Sequence, residues 1–135
     1  MGTVIANNLA RAGVGKLTMV DRDYVELSNL QKQTLFTESD ASERLPKAAA
    51  AETHLKRINS GIEIKGVVSD VNLINIERLI SGAHIVLDGT DNLSTRFLIN
   101  DECVKHGIPW VYGGAVSSYG MVMPVSSGDV PVSDV

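Results

Sequence analysis

The chain has 135 residues, 44% of them hydrophobic and 21% charged, the composition of one folded domain with a modest core and not of a disordered segment. Its net charge of −4, with no Lys/Arg block to offset it, argues against a nucleic-acid surface, and the single cysteine, Cys103, excludes an internal disulfide framework. No apolar run approaches the ~20 residues of a membrane-spanning helix, and the N-terminal stretch lacks the basic start and apolar middle of a signal peptide, so the expected location is the cytoplasm.

In chain order, residues 3–12 read as a helix, with Ile5, Leu9 and Ala12 at helical spacing and Gly13 as its stop. Residues 16–20 read as a strand. Residues 46–59 form a second helix, opened by Pro46 and carrying an inner stripe of Ala48, Ala51, Leu55 and Ile58. A strand is expected over 62–68, a short helix over 74–81, and over 84–88 an apolar strand of the kind a parallel sheet buries on both faces. Residues 92–106 complete the helices, with Asp91 or Asn92 as cap and Gly107 as stop. Strands follow at 109–112 and 119–124, with Gly113-Gly114 between them as a turn or a close approach of backbones. The turn-rich stretch 125–135 reads as a loose C-terminal tail.

Alternating helix and strand define an α/β fold, Rossmann-like and doubly wound, with a mainly parallel sheet. Such folds open with a strand and a glycine-rich turn, whereas here only Met1-Gly2 precedes the first helix. Residues 1–124 are therefore expected to be a partial nucleotide-binding domain, lacking the first strand and most of the glycine-rich turn. Gly2 would be the last glycine of that turn. Asp21 follows Gly2 at the offset of about 20 residues at which an acid recognises a ribose.

Ligands of such sheets gather beyond the carboxyl ends of the strands. Asp21 and Asp23, Asp70, and Asp88 and Asp91 all stand at such ends, where turn formation and helix capping are the ordinary alternatives. Asp91 is either a cap or a ligand for magnesium, a hard cation that prefers carboxylates. Lys47 opens a helix, where the macrodipole disfavours a cation by roughly 0.3–1 kcal/mol. A solvated surface lysine is the common explanation, and a bound phosphate would remove the conflict. Ser28, Asn29, Gln31, Lys32 and Gln33 crowd donors into a segment with no glycine or proline. They are either loop polars or contacts to phosphate and ribose. Cys103 reads as a packed core thiol.

Three blocks, AGVGKLTMVDRDYVELSNLQKQ, LPKAAAAETHLKRIN and VLDGTDNLSTRFLINDECVKHGIPWVYGGAV, in that order resemble the ThiF/MoeB/HesA adenylyltransferases, bacterial relatives of ubiquitin-activating enzymes. The resemblance implies ATP and magnesium as cofactors, and adenylation of the C-terminal glycine of a ubiquitin-like sulfur carrier protein, in thiamin or molybdenum cofactor supply. It implies a homodimer for the full-length form. By position, Asp21 would bind the ribose, while Ser28 to Lys32, with Asn29 and Lys32 foremost and Gln31 between them, would contact the nucleotide and its phosphates. Lys47 would pair with phosphate, Asp91 would hold magnesium, and Asn92 would lie beside the nucleotide. Lys32 stands where the family usually has arginine, which keeps the charge but loses the bidentate fork. Many members also bind zinc through Cys-x-x-Cys pairs, and this chain has no such ligands. Three further readings stay open: a non-catalytic fragment or interaction module of the same fold, a family member that modifies tRNA, and a nicotinamide-dependent oxidoreductase, for which Asp21 alone would serve.

Overall fold

The computed structural model describes residues 1–126; residues 127–135, most of the expected tail, lie outside the described residues. The chain divides into two compact units, Met1–Asp70 and the part from Val71 onward. Each contains a parallel strand pair joined through helices, as an α/β chain should, and the second adds an antiparallel strand.

The first unit begins with α1 (Gly2–Ala12), which Gly13 ends in the left-handed conformation (φ 79°) while its N–H returns to the Ala10 carbonyl. The most buried side chains of α1 are Ala6 and Ala10. The stripe therefore lies one position beyond Ile5 and Leu9, because small residues let α1 approach the next long helix closely. Strand β1 (Lys16–Asp21) pairs in parallel with β2 (Glu63–Val68), from Lys16↔Glu63 to Asp21↔Val68. Between them run a 3₁₀ turn (Leu27–Asn29), the short helix α2 (Glu38–Ser42) and α3 (Lys47–Ile58).

Helix α2 carries no apolar period; a capping box starts it, with Thr37 Oγ1 accepting the Asp40 N–H and the Asp40 carboxylate accepting the Thr37 N–H. Helix α3 starts after Pro46 and turns Ala48, Ala50, Ala51 and Leu55 inward. It lies so close to β2 that a Cβ on Gly66 would stand 2.2 Å from the Ala48 carbonyl oxygen. The Glu52 carboxylate accepts the Gly66 N–H at 2.7 Å, tying the same helix to the same strand. Ala6, Ala10, Leu55 and Ile64 form one part of this core. Val25, Phe36, Ala41, Ala50 and Ala51 form another.

The second unit contains α4 (Ile76–Ile80), β3 (Val86–Asp88), α5 (Leu93–His106), β4 (Trp110–Val116) and β5 (Tyr119–Val125). β3 pairs in parallel with β4, and β4 pairs antiparallel with β5. Asn92 caps α5 through its side-chain oxygen, which accepts the Thr95 N–H at 2.8 Å, and Gly107 closes it at φ 65°. Gly113 and Gly114 lie within β4, not in a turn. Gly114 leaves room for the Tyr112 ring, whose hydroxyl would stand 2.0 Å from a Cβ at that position. Ile76, Ile80, Ile99, Cys103, Trp110 and Val125 make the core.

Candidate nucleotide site

At the carboxyl end of β1 the backbone turns at once. Asp21 Oδ1 accepts the Asp23 N–H at 2.8 Å, a local turn that any aspartate can form. The other Asp21 oxygen has no partner among the described residues and remains able to accept a hydroxyl. The turn aims Asp23 at the start of α3. Its carbonyl accepts the Lys47 N–H at 2.8 Å, and its carboxylate receives Lys47 Nζ at 3.1 Å. Tyr24 bridges Pro46, and the Val25 N–H donates to the Leu45 carbonyl, so the two segments run side by side. Asp23 thus supplies the counter-charge that Lys47 needs at a positive helix end. Lys47 itself is largely covered, its side chain 13% exposed.

A cleft of about 440 Å³ opens here, lined by Arg22, Asp23, Tyr24, Glu26, Asn29 and Lys47. Arg22 pairs with Asp70, at the end of β2, at 3.2 Å. Asn29 comes from the 3₁₀ turn and leans on Glu26, as Ser28 does at 3.3 Å. The structure therefore brings Asn29 and Lys47 onto one cleft, with Asp21 two residues from the Asp23 that holds the lysine. Gln31 and Lys32 follow as exposed side chains on the next turn. Gly2 opens α1, and a Cβ there would meet nothing within 4 Å, so its assignment rests on its place at the helix start. The sequence reading missed Asp23 as the partner of Lys47; the only available signal was a second acid after β1.

Asp91 and Asn92 belong to the second unit. Asn92 is the cap of α5 through its oxygen, which leaves its amide nitrogen uncommitted among the described residues. Asp91 is exposed and has no hydrogen bond or ion pair among the described residues. A free carboxylate fits the way magnesium is held beside phosphate groups, through one or two carboxylates with water and phosphate oxygens. Neighbouring Asp88 is a structural acid, fully buried and paired with Arg96 Nε at 3.1 Å. Arg96 also lies 4.2 Å from the centre of the Tyr112 ring and donates to the Thr90 carbonyl. Cys103 is fully buried, and burial, aided by Glu102, pushes its thiol up to about 11. It stays protonated, unsuited to sulfur transfer. Among the described residues no group of three or more His, Cys, Asp or Glu side chains is placed to hold a metal ion.

A cation and an amide on a cleft beyond a strand's carboxyl end stand where α/β domains take their ligands. The chain belongs to the ThiF family, whose profile matches residues 1–135. It is 50% identical over 97% of its length to the sulfur carrier protein ThiS adenylyltransferase of Bacillus subtilis. It is 41% identical over 90% of its length to the molybdopterin-synthase adenylyltransferase of Salmonella typhimurium. It spans 39% and 48% of these two relatives. Escherichia coli MccB, solved with AMPCPP and MccA, shares the fold at a TM-score of 0.83 and 24% identity, over 94% of this chain and 38% of that one.

Proposed function

We propose that the chain is the nucleotide-binding part of a cytoplasmic, ATP-dependent adenylyltransferase. Its substrate would be the C-terminal glycine carboxylate of a ubiquitin-like sulfur carrier. The observation that supports this best is the cleft on which Asn29 and a largely covered, pre-positioned Lys47 meet beyond the end of β1. A ThiS-type carrier is preferred over a molybdopterin-synthase one because identity is 50% to the ThiS enzyme and 41% to the other.

In this reaction a carboxylate oxygen attacks the α-phosphorus of ATP, the α–β phosphoanhydride bond breaks, and pyrophosphate leaves with the bonding electrons. The carboxylate is already ionised at pH 7, so no base has to remove a proton. The work left to the protein is positioning and charge neutralisation. Lys47 would share its ammonium between Asp23 and a phosphate oxygen. Asn29 and Ser28 would donate to the nucleotide, Gln31 and Lys32 would add contacts at the rim, and the free oxygen of Asp21 would accept a ribose hydroxyl. Asn92 would lie beside the nucleotide. Asp91 would hold magnesium, which when bound neutralises charge on the phosphates. A homodimer completes the proposal; sedimentation showing monomer alone would remove that part.

Carrier-dependent ATP–pyrophosphate exchange tests the function. Exchange should require both the carrier and magnesium, Lys47→Ala should slow it at least tenfold, and Asp91→Ala should abolish it. Unchanged rates in both variants would refute the assigned roles. No exchange together with no ATP binding by calorimetry would refute the function.

A further inference from the structure

A second concavity, of about 370 Å³, opens in the first unit and shares no residue with the nucleotide cleft. Asn7 and Arg11 of α1, Thr34 and Leu35 of the segment before α2, and His54, Arg57 and Ile58 of α3 line it. That size is at the lower end for small-molecule sites. No acidic residue is in the lining. Arg11 Nε donates to Asn7 Oδ1 at 3.2 Å, which steadies the guanidinium along the helix and leaves its terminal nitrogens uncommitted among the described residues. Arg57 has no hydrogen bond or ion pair among the described residues. His54 holds Asp40 at 2.7 Å, and that carboxylate is claimed again by the Thr37 N–H and hydroxyl. Among the described residues no ion pair joins it to either arginine.

A basic residue in the last turn of a helix is favoured by the macrodipole, and that accounts for Arg11 or Arg57 taken singly. It does not account for two unpaired guanidinium groups on one concavity of an acidic chain, beside an amide, a hydroxyl and the apolar Leu35 and Ile58. Guanidinium forks match tetrahedral oxyanions, and the apolar residues offer a surface to an organic substituent.

We propose that this cleft binds a small phosphate monoester, the phosphoryl group between Arg11 and Arg57 and the organic part against Leu35 and Ile58. Phenyl phosphate and inorganic phosphate are the probes, titrated at constant ionic strength into ¹⁵N-labelled protein while the arginine side-chain Nε–H resonances are followed. Both arginines should shift together and saturate, with phenyl phosphate binding more tightly than phosphate. Arg11→Ala with Arg57→Ala should weaken binding at least tenfold, and the pair of lysine substitutions, which keeps charge and fold, several-fold. Lys47→Ala should leave it unchanged. Shifts that never saturate, saturation that survives the lysine and alanine pairs, or loss of binding with Lys47→Ala would each overturn the assignment.

Discussion

Gly66→Ala tests the packing that supports the cleft beyond β1. A Cβ on residue 66 would lie 2.2 Å from the Ala48 oxygen and 2.7 Å from the Ala48 carbonyl carbon. Both atoms are backbone, so no side-chain rotation relieves the clash. Helix α3 has to retreat from β2 by about 1 Å to restore ordinary contact. Overpacking of this kind costs ~1–3 kcal/mol. The same retreat stretches the 2.7 Å bond from the Gly66 N–H to Glu52, a charge-assisted bond whose full loss costs ~1.5–3 kcal/mol. A total of about 2–4 kcal/mol follows, because the longer bond is weakened and not fully lost. Urea denaturation should show the midpoint falling with an unchanged slope. Gly15→Ala is the control: a Cβ there meets nothing within 4 Å, and the change should stay within ~0.5 kcal/mol of wild type. Lys47 immediately precedes Ala48, so under the proposed function ATP affinity should fall in the same variant. An unaltered midpoint for Gly66→Ala would refute the close packing of α3 on β2.

Arg96→Met leaves fully buried Asp88 without its cation and should cost about 3–5 kcal/mol in the same assay. Burial alone would raise the Asp40 carboxyl, but the Thr37 N–H, His54 and the Thr37 hydroxyl outweigh it and hold it below the usual range. Its contribution to stability is therefore complete above the unfolded value of about 4 and is lost as pH falls through the folded one. Asp40→Asn should flatten the acid limb of a stability–pH curve, and an identical limb would sink that reasoning. Cys103, fully buried with its thiol pushed up to about 11, should resist a thiol reagent at pH 8 until urea unfolds the protein. Rapid labelling of the native state would contradict its burial.

Elements with a strong apolar period or a marked end were legible in the sequence. Pro46 located the start of α3, and Gly13 and Gly107 the ends of α1 and α5, since each glycine adopts the positive φ that stops a helix. Helix α2 was missed because its five residues are mostly polar; Thr37-x-x-Asp40 was the only trace of it. Gly113-Gly114 read as a turn or a close approach of backbones, because glycine usually breaks a strand. Here Gly114 continues β4 beneath a tyrosine ring, a need that only the fold reveals. At the site, Lys47 was visible as a cation where a helix disfavours one. Its partner lies 24 residues away, and only the side-by-side run of the two segments joins them.

The double hold on Lys47 bears on how an anion would meet it. A free lysine gives up about 2 kcal/mol of rotamer freedom when it is fixed. In this chain part of that loss is taken during folding, because the Asp23 carboxylate holds the ammonium at 3.1 Å while the main-chain bond at 2.8 Å fixes the helix start that carries the side chain. Under the proposed function, an incoming phosphate would meet an ammonium already held near its place, so the contact would be a partial exchange of oxygens at a reduced entropic cost.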